Sequence, residues 1–156
     1  MTSAGDPTIR LVGYEDPSVR ALVDEVQQEY VARYGGPDRT PVTAGEFDPP
    51  GGAFLVLEVD GEAVGCGGLR RHDERTAEIK RMFVRRSARR RGHARRLLAV
   101  LEERARAAGY ARVILETGHG KPEALALYGG AGYHPIAPFG LYRDAPGNRC
   151  FGKDLG

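Results

Sequence analysis

At 156 residues the chain has the length of one domain, and its 41% apolar and 28% charged residues are the balance of a globular protein, which excludes a wholly disordered chain. Lys and Arg number 23 against 21 Asp and Glu, a formal +2, yet seven arginines fall between Arg85 and Arg96 with no acid among them, and the chain without those seven carries −5. A nucleic-acid face would spread its positive charge, so one basic segment on an acidic body points instead to a local anion site, and no nucleic-acid partner is expected.

Along the chain, Thr8–Tyr14 predicts a short strand. Asp16-Pro17 is a helix start, with Asp as cap and Pro in the first helical position, and Val19, Leu22, Val23, Val26 and Tyr30 recur at helical spacing, so residues 17–34 predict an amphipathic helix that Gly35-Gly36-Pro37 ends. Residues 35–52 are a long Pro/Gly/Thr/Asp-rich loop in which Phe47 is the one large apolar side chain; loops of this length inside a domain are often functional. Ala53–Val59 is a β-rich run, Asp60-Gly61 is a hairpin turn, and Ala63–Arg71 returns as its partner, with Gly65, Gly67 and Gly68 marking a bulge or a close backbone approach. Ala77–Val84 predicts the next strand. Residues 88–108 predict a long helix with Leu97, Leu98, Leu101 and Ala105 on one face, closed by Gly109. Arg112–Glu116 is a strand whose continuous apolar run suits burial on both faces. A turn at 118–120, a short helix from Lys121 to Tyr128 and final strands at Tyr133–Ile136 and Arg149–Lys153 complete the chain. The strand–helix–strand unit over 77–117 requires a parallel pair, and the rest pairs antiparallel. The expected fold is therefore α/β: a mixed, mostly antiparallel twisted sheet of six to seven strands with helices on both faces, over a single domain, 1–156.

The chemistry is concentrated in Phe83-Val84-Arg85-Arg86-Ser87-Ala88-Arg89-Arg90-Arg91-Gly92-His93-Ala94, which leads from a strand into a helix N-terminus. The first turn of a helix leaves N–H groups without partners and carries partial positive charge, small residues at Gly92 and Ala94 admit an anion, and arginines add charge-assisted contacts. The segment has neither the Lys-Ser/Thr of a Walker loop nor the three-glycine spacing of a dinucleotide fold.

Arg89-x-x-Gly92-x-Ala94 resembles the Gln/Arg-x-x-Gly-x-Gly/Ala motif of the GNAT (GCN5-related N-acetyltransferase) superfamily, and Glu123-Ala124-Leu125-Ala126-Leu127-Tyr128 with Gly132-Tyr133 is similar to that family's Ala-x-x-Leu-Tyr block. The resemblance covers about residues 53–136. It implies the acyl-CoA N-acyltransferase fold, and an enzyme that moves an acetyl group from acetyl-CoA, as co-substrate and without a metal, to a primary amine by direct attack in a ternary complex. It implies that the pyrophosphate lies on Arg89, Arg90, Arg91, Gly92, His93, Ala94 and Arg95, that the pantetheine arm lies along Met82, Phe83 and Val84, and that a main-chain N–H of Met82 or Phe83 polarises the acetyl carbonyl. Arg90 stands where this family commonly has Gly, which requires its side chain to point outward.

An alkylammonium acceptor, with a pKa of about 10.4, must lose a proton and the leaving thiolate must gain one. Glu78 is the candidate base; its even offset of four from Met82 predicts that the two side chains share a face of the strand. Glu116 is the second carboxylate candidate and a candidate acceptor contact. Tyr128 is the candidate acid, since a phenol of pKa about 10 keeps its proton at neutral pH. His72, His93, His119 and His134 show no metal spacing. Cys66 and Cys150 read as reduced thiols.

The resemblance places the acceptor against the first helix, the loop after it and the last strand pair, which carry Asp24, Glu25, Glu29, Tyr30, Tyr34, Glu46, Phe47 and Asp48. Tyr30 and Phe47 are the candidate contacts there. The mix suits a cationic small molecule such as a polyamine, an aminoglycoside or an amino-acid derivative; alternatively Arg143 and Arg149 hold an acceptor carboxylate. A protein or peptide acceptor, a non-catalytic acetyl-CoA-binding module and a nucleic-acid-binding domain are the competing readings. No apolar run approaches the ~20 residues that span a bilayer, and Met1–Pro7 lacks the basic and apolar regions of a signal peptide, so a cytoplasmic protein without a membrane partner is expected. A homodimer is compatible with these expectations.

Overall fold

The computed structural model describes residues 6–117 and 122–156. In chain order the elements are β1 (Pro7–Leu11), α1 (Pro17–Tyr34), β2 (Ala53–Val59), β3 (Glu62–Arg71), β4 (Thr76–Val84), α2 (His93–Ala107), β5 (Arg112–Thr117), α3 (Pro122–Gly130), β6 (His134–Pro135) and β7 (Arg149–Asp154), with 3-10 turns at Ala44–Phe47 and Arg86–Ala88. The seven strands form one sheet in the order β1-β2-β3-β4-β5-β7-β6. Only β4 and β5 are parallel, and α2 makes the crossover between them; every other neighbour is antiparallel. This is the mixed sheet that the pattern of strands and helices predicts.

The helices divide between the two faces because each has one apolar stripe to bury. On one face α1 is capped by Asp16, whose carboxylate accepts the Ser18 N–H at 2.9 Å, and it packs Val19, Leu22 and Val26 against Phe47, Phe54, Val56 and Cys66. On the other face α2 packs Leu97, Leu98, Leu101 and Ala105 against Leu55, Leu57 and Val113, and Tyr128 and Tyr133 join the same core. Each fully buried leucine there contributes about 1.5–3 kcal/mol. Gly68 is required where the α1-side core meets the sheet, since a Cβ would stand 2.7 Å from the Phe47 ring.

Several boundaries differ from the sequence reading, these three among them. β1 stops at Leu11 because the Val12 N–H makes the last bond to β2, at the Phe54 carbonyl, and the chain then turns at Gly13 into α1. α2 begins at His93 and not at residue 88: Arg90 and Gly92 have left-handed backbones, φ 67° and 81°, which no α-helix accommodates. β6 is only two residues long. The expected turn at 118–120, with His119 and Lys121, lies outside the described residues.

Two irregularities of β4 shape the site. Its pairing with β5 runs only over Thr76–Glu78, opposite Arg112–Ile114, although both strands continue beyond. Its pairing with β3 contains a bulge in which Arg81 and Met82 together oppose Gly67, and Arg81 takes φ 58°. The extra residue reverses the alternation of side chains. Ala77 and Ile79 face the α2 side before the bulge, Met82 and Val84 face it after, and Phe83 joins the α1-side core. Glu78 and Met82 therefore lie on opposite faces, which corrects the shared face inferred from their even offset.

Candidate active site

Where β4 and β5 part, a cavity of about 410 Å³ passes through the sheet. Tyr128 and Ala124 of α3 line it on one side, Tyr30 and Tyr34 of α1 on the other, and Met82 of β4 and Glu116 of β5 line it between. Such an opening is possible because nothing fills the diverging strands with backbone hydrogen bonds.

Tyr128 is buried, and its ring lies against Tyr133 and Phe151 at centroid distances of 5.7 and 6.4 Å. Burial pushes its phenol up to about 12, so it holds its proton throughout the neutral range. Leu115 packs into the α2-side core, so Glu116, next along the strand, points to the α1 face. One of its carboxylate oxygens, Oε1, lies 3.5 Å from Lys80 Nζ; the other, Oε2, is buried without a hydrogen-bond partner among the described residues. Burial holds the Glu116 carboxyl above its ordinary range; Lys80 opposes that rise, and Glu78 and Asp38 add to it.

Glu78 stands apart. It is buried, it accepts from Arg70 Nε at 3.0 Å, its second oxygen lies 3.9 Å from Lys80 Nζ, and it is not among the residues lining the cavity. Lys80 is thereby surrounded by three carboxylates, Glu116 at 3.5 Å, Asp38 at 3.7 Å and Glu78 at 3.9 Å. Arg81, beside it, is bound to Asp38. Asp38, Lys80 and Arg81 carry most of the cavity's charge and were missed by the sequence reading. The available signal was three ionisable residues, Glu78, Lys80 and Arg81, inside one strand that ends on the apolar run Met82-Phe83-Val84. Asp38, in the long loop, had no signal.

The expected acceptor contacts separate. Tyr30 lines the cavity. Phe47 does not: it is 1% exposed, stacked on Tyr14 at 4.8 Å and edge-on to Phe54 at 5.3 Å, a core residue that anchors its loop to the sheet. Nor do the acids of α1 and the loop furnish an acidic wall. Glu25 binds Arg85, Glu29 binds Arg89 and Glu46 binds Arg70, while Asp24 and Asp48 are exposed. Arg143 and Arg149 are exposed and donate to the main-chain carbonyls of Gly140 and Asn148.

The basic segment also divides. Arg85 and Arg89 are turned to α1; Arg89 donates to both Glu29 oxygens at 2.8 and 3.0 Å and to the Val84 carbonyl at 2.8 Å, with its guanidinium 5.6 Å from the Phe83 ring centre. It braces the end of β4 against α1. Arg90, Arg91 and Arg95 are exposed around the start of α2. The left-handed φ of Arg90 explains why glycine suits that position, and holding arginine there costs about 1–2 kcal/mol. Gly92 is the N-cap; the space beside its Cα is open, and the N–H groups of His93, Ala94 and Arg95 begin the helix without intrahelical partners. His93 is buried, and burial, with Arg96 and Arg91, holds its imidazole below the ordinary range, so the ring is neutral. The loop thus offers main-chain donors and exposed guanidinium groups with no acid among them, which fits a diphosphate. Among the described residues no His, Cys, Asp and Glu side chains cluster as metal ligands, and no helix is long and apolar enough to cross a membrane.

The model of the acetyltransferase (GNAT) family matches residues 19–133. The chain belongs to this family. It is 43% identical over 94 residues to an IAA acetyltransferase of Azospirillum brasilense, a match that covers 60% of this chain and 61% of that protein. It superposes with TM-score 0.80 and 28% identity on a Klebsiella pneumoniae chain assigned to the acyl-CoA N-acyltransferases, covering 96% of this chain and 98% of the other. The fold is also that of the PaiA N-acetyltransferase of Thermoplasma acidophilum in complex with coenzyme A, with TM-score 0.71, 13% identity and coverage of 96% and 99%.

Proposed function

We propose that this GNAT chain transfers the acetyl group of acetyl-CoA to a primary amine of a small molecule, by direct attack with both substrates bound. The observation that carries this reading is the cavity through the parted sheet, with Tyr128 lining it on the α3 side and Glu116 on the α1 side. The coenzyme A held by the Thermoplasma neighbour supports the choice of carrier.

Acetyl-CoA supplies the thioester to be attacked. The N–H groups of His93, Ala94 and Arg95 hold the diphosphate, with Arg90, Arg91 and Arg95 beside it and Gly92 leaving room, and the cofactor arm follows Met82, Phe83 and Val84, the part of β4 that β5 leaves unpaired. A main-chain N–H of Met82 or Phe83 faces the acetyl carbonyl; a fixed dipole there stabilises the developing oxyanion without reorganising. Arg89 serves by bracing that edge of β4. Glu116 accepts the proton of the incoming ammonium. It replaces Glu78 in this role because its side chain lines the cavity and its Oε2 has no hydrogen-bond partner among the described residues, whereas Glu78 is occupied by Arg70 and is not part of the lining. Tyr128 donates its proton on the opposite side, where the thiol leaves.

Titration calorimetry with acetyl-CoA, followed by release of free thiol across a set of small amines, tests the reading. Micromolar binding and amine-dependent thiol release are expected. Absence of binding at millimolar acetyl-CoA overturns it.

A further inference from the structure

The α1 side of the cavity is lined by five ionisable side chains besides its tyrosines: Asp38, Arg39, Lys80, Arg81 and Glu116. Three are cationic and two anionic. Most of this charge is internally matched. The Asp38 carboxylate binds Arg81 and accepts the Thr40 N–H at 2.9 Å, and Lys80 lies among its three carboxylates. Among the described residues, three polar groups lining the cavity are left over. Glu116 Oε2 is an acceptor without a donor, on a side chain 7% exposed. Arg81 Nε is a donor without an acceptor, on a side chain 5% exposed. Arg39 is exposed at the mouth; its main-chain N–H donates to the Tyr142 hydroxyl at 2.7 Å, which ties this loop to the one before β7, and its guanidinium makes no ion pair among the described residues.

Buried polar atoms are ordinarily satisfied, and one left open in a cavity is a place for a ligand's complementary atom. Here Glu116 Oε2 and Arg81 Nε are such atoms among the described residues, on side chains that line the cavity, and Arg39 brings its guanidinium to the mouth. We infer that the acceptor is an amino-acid-sized zwitterion: a primary amine that also carries a carboxylate, with the amine directed to Glu116 and the carboxylate to Arg81 and Arg39, between Tyr30, Tyr34 and Tyr142. This rests on the acetyltransferase reading and narrows its substrate. Arg39, which makes no ion pair among the described residues, would repel the additional positive charges of a polyamine or an aminoglycoside, and Glu25, Glu29 and Glu46, which seemed to favour such molecules, bind arginines away from the cavity. Arginine suits the carboxylate because its fork presents paired donors to two oxygens.

The test compares matched pairs under saturating acetyl-CoA with the full chain: an amino acid and the amine left by its decarboxylation, such as phenylalanine with phenethylamine and leucine with 3-methylbutylamine. For at least one pair, kcat/KM is expected to be tenfold or more higher for the carboxylated member. Arg39→Gln, at an exposed position where folding is not at stake, should lower that ratio at least fivefold, and Arg81→Lys should lower it too if the protein folds. Arg143→Gln, outside the cavity, should leave the ratio unchanged. Equal or better turnover of the decarboxylated amines overturns the inference, as does a ratio indifferent to Arg39→Gln. So does failure of every carboxylated amine; acetyl-CoA binding measured alongside then shows whether the acetyltransferase reading has failed with it.

Discussion

From Thr76 to Glu78, β4 is paired on both sides, to β3 and to β5, and its one carboxylate is closed off by Arg70; from Arg81 to Val84 it is paired with β3 alone and borders a cavity. Both stretches carry charge inside a sheet covered on both faces. In the first the charge is matched within the protein and serves the fold. In the second the bulge at Arg81 and the loss of pairing with β5 leave a strand edge beside a cavity lined by Arg81, Met82 and Glu116. An open edge on the outside of a sheet invites aggregation. Here it is enclosed between α1 and α3, where a ligand can use it. The same division runs through the basic segment, where Arg85 and Arg89 are neutralised by α1 while Arg90, Arg91 and Arg95 stay exposed at the start of α2.

The sharpest break of this comparison is between the two glutamates. Glu116→Gln should lower kcat by about 10²-fold or more, the scale of a lost general base, with acetyl-CoA affinity kept. Glu78→Gln should leave the turnover of folded protein within about threefold but lower stability by about 1–3 kcal/mol, because Arg70 and Lys80 lose a charged partner; this reads as a drop of several degrees in Tm. Equal kinetic losses would erase the distinction. Tyr128→Phe should reduce kcat by about 10–100-fold with unchanged binding of acetyl-CoA, and unchanged turnover would dismiss its role as acid.

Gly92→Val tests the anion loop. At φ 81° a β-branched residue is strained, so acetyl-CoA binding should weaken roughly tenfold while kcat at saturation falls far less. Acidification tests the base by another route. Glu116 must be ionised to accept a proton, and burial raises its pKa above the ordinary 4.5, so kcat/KM should fall as pH drops through that raised value. The limb should be missing in Glu116→Gln; an identical profile would contradict the assignment. The smallest effect belongs to Arg89→Gln, which loosens a half-exposed tie to Glu29 and should cost about 1 kcal/mol or less.

Much of the fold was legible in the sequence because it rests on local chemistry: Asp16-Pro17 and Gly35 bound α1 at the predicted residues, and Asp60-Gly61 joins β2 to β3. The glycine cap of α2 was legible too, since Gly92 before a run of leucines is a sequence-local signal. What was not legible depends on long-range pairing. The parity of β4 turns on a bulge against Gly67, so Glu78 could not be placed by counting. Phe47 looked like a loop residue near a ligand because only the folded sheet brings Tyr14 and Phe54 to it. Glu25 and Glu29 looked like a helix face open to substrate because their arginine partners lie sixty residues away in sequence.

The most direct test of the central claim is a crystal structure of the chain with acetyl-CoA. The account predicts the diphosphate on the N–H groups of His93–Arg95 and the thioester in the gap between β4 and β5, beside Met82 and within reach of the Tyr128 hydroxyl. Acetyl-CoA bound elsewhere, with that gap closed, would contradict it.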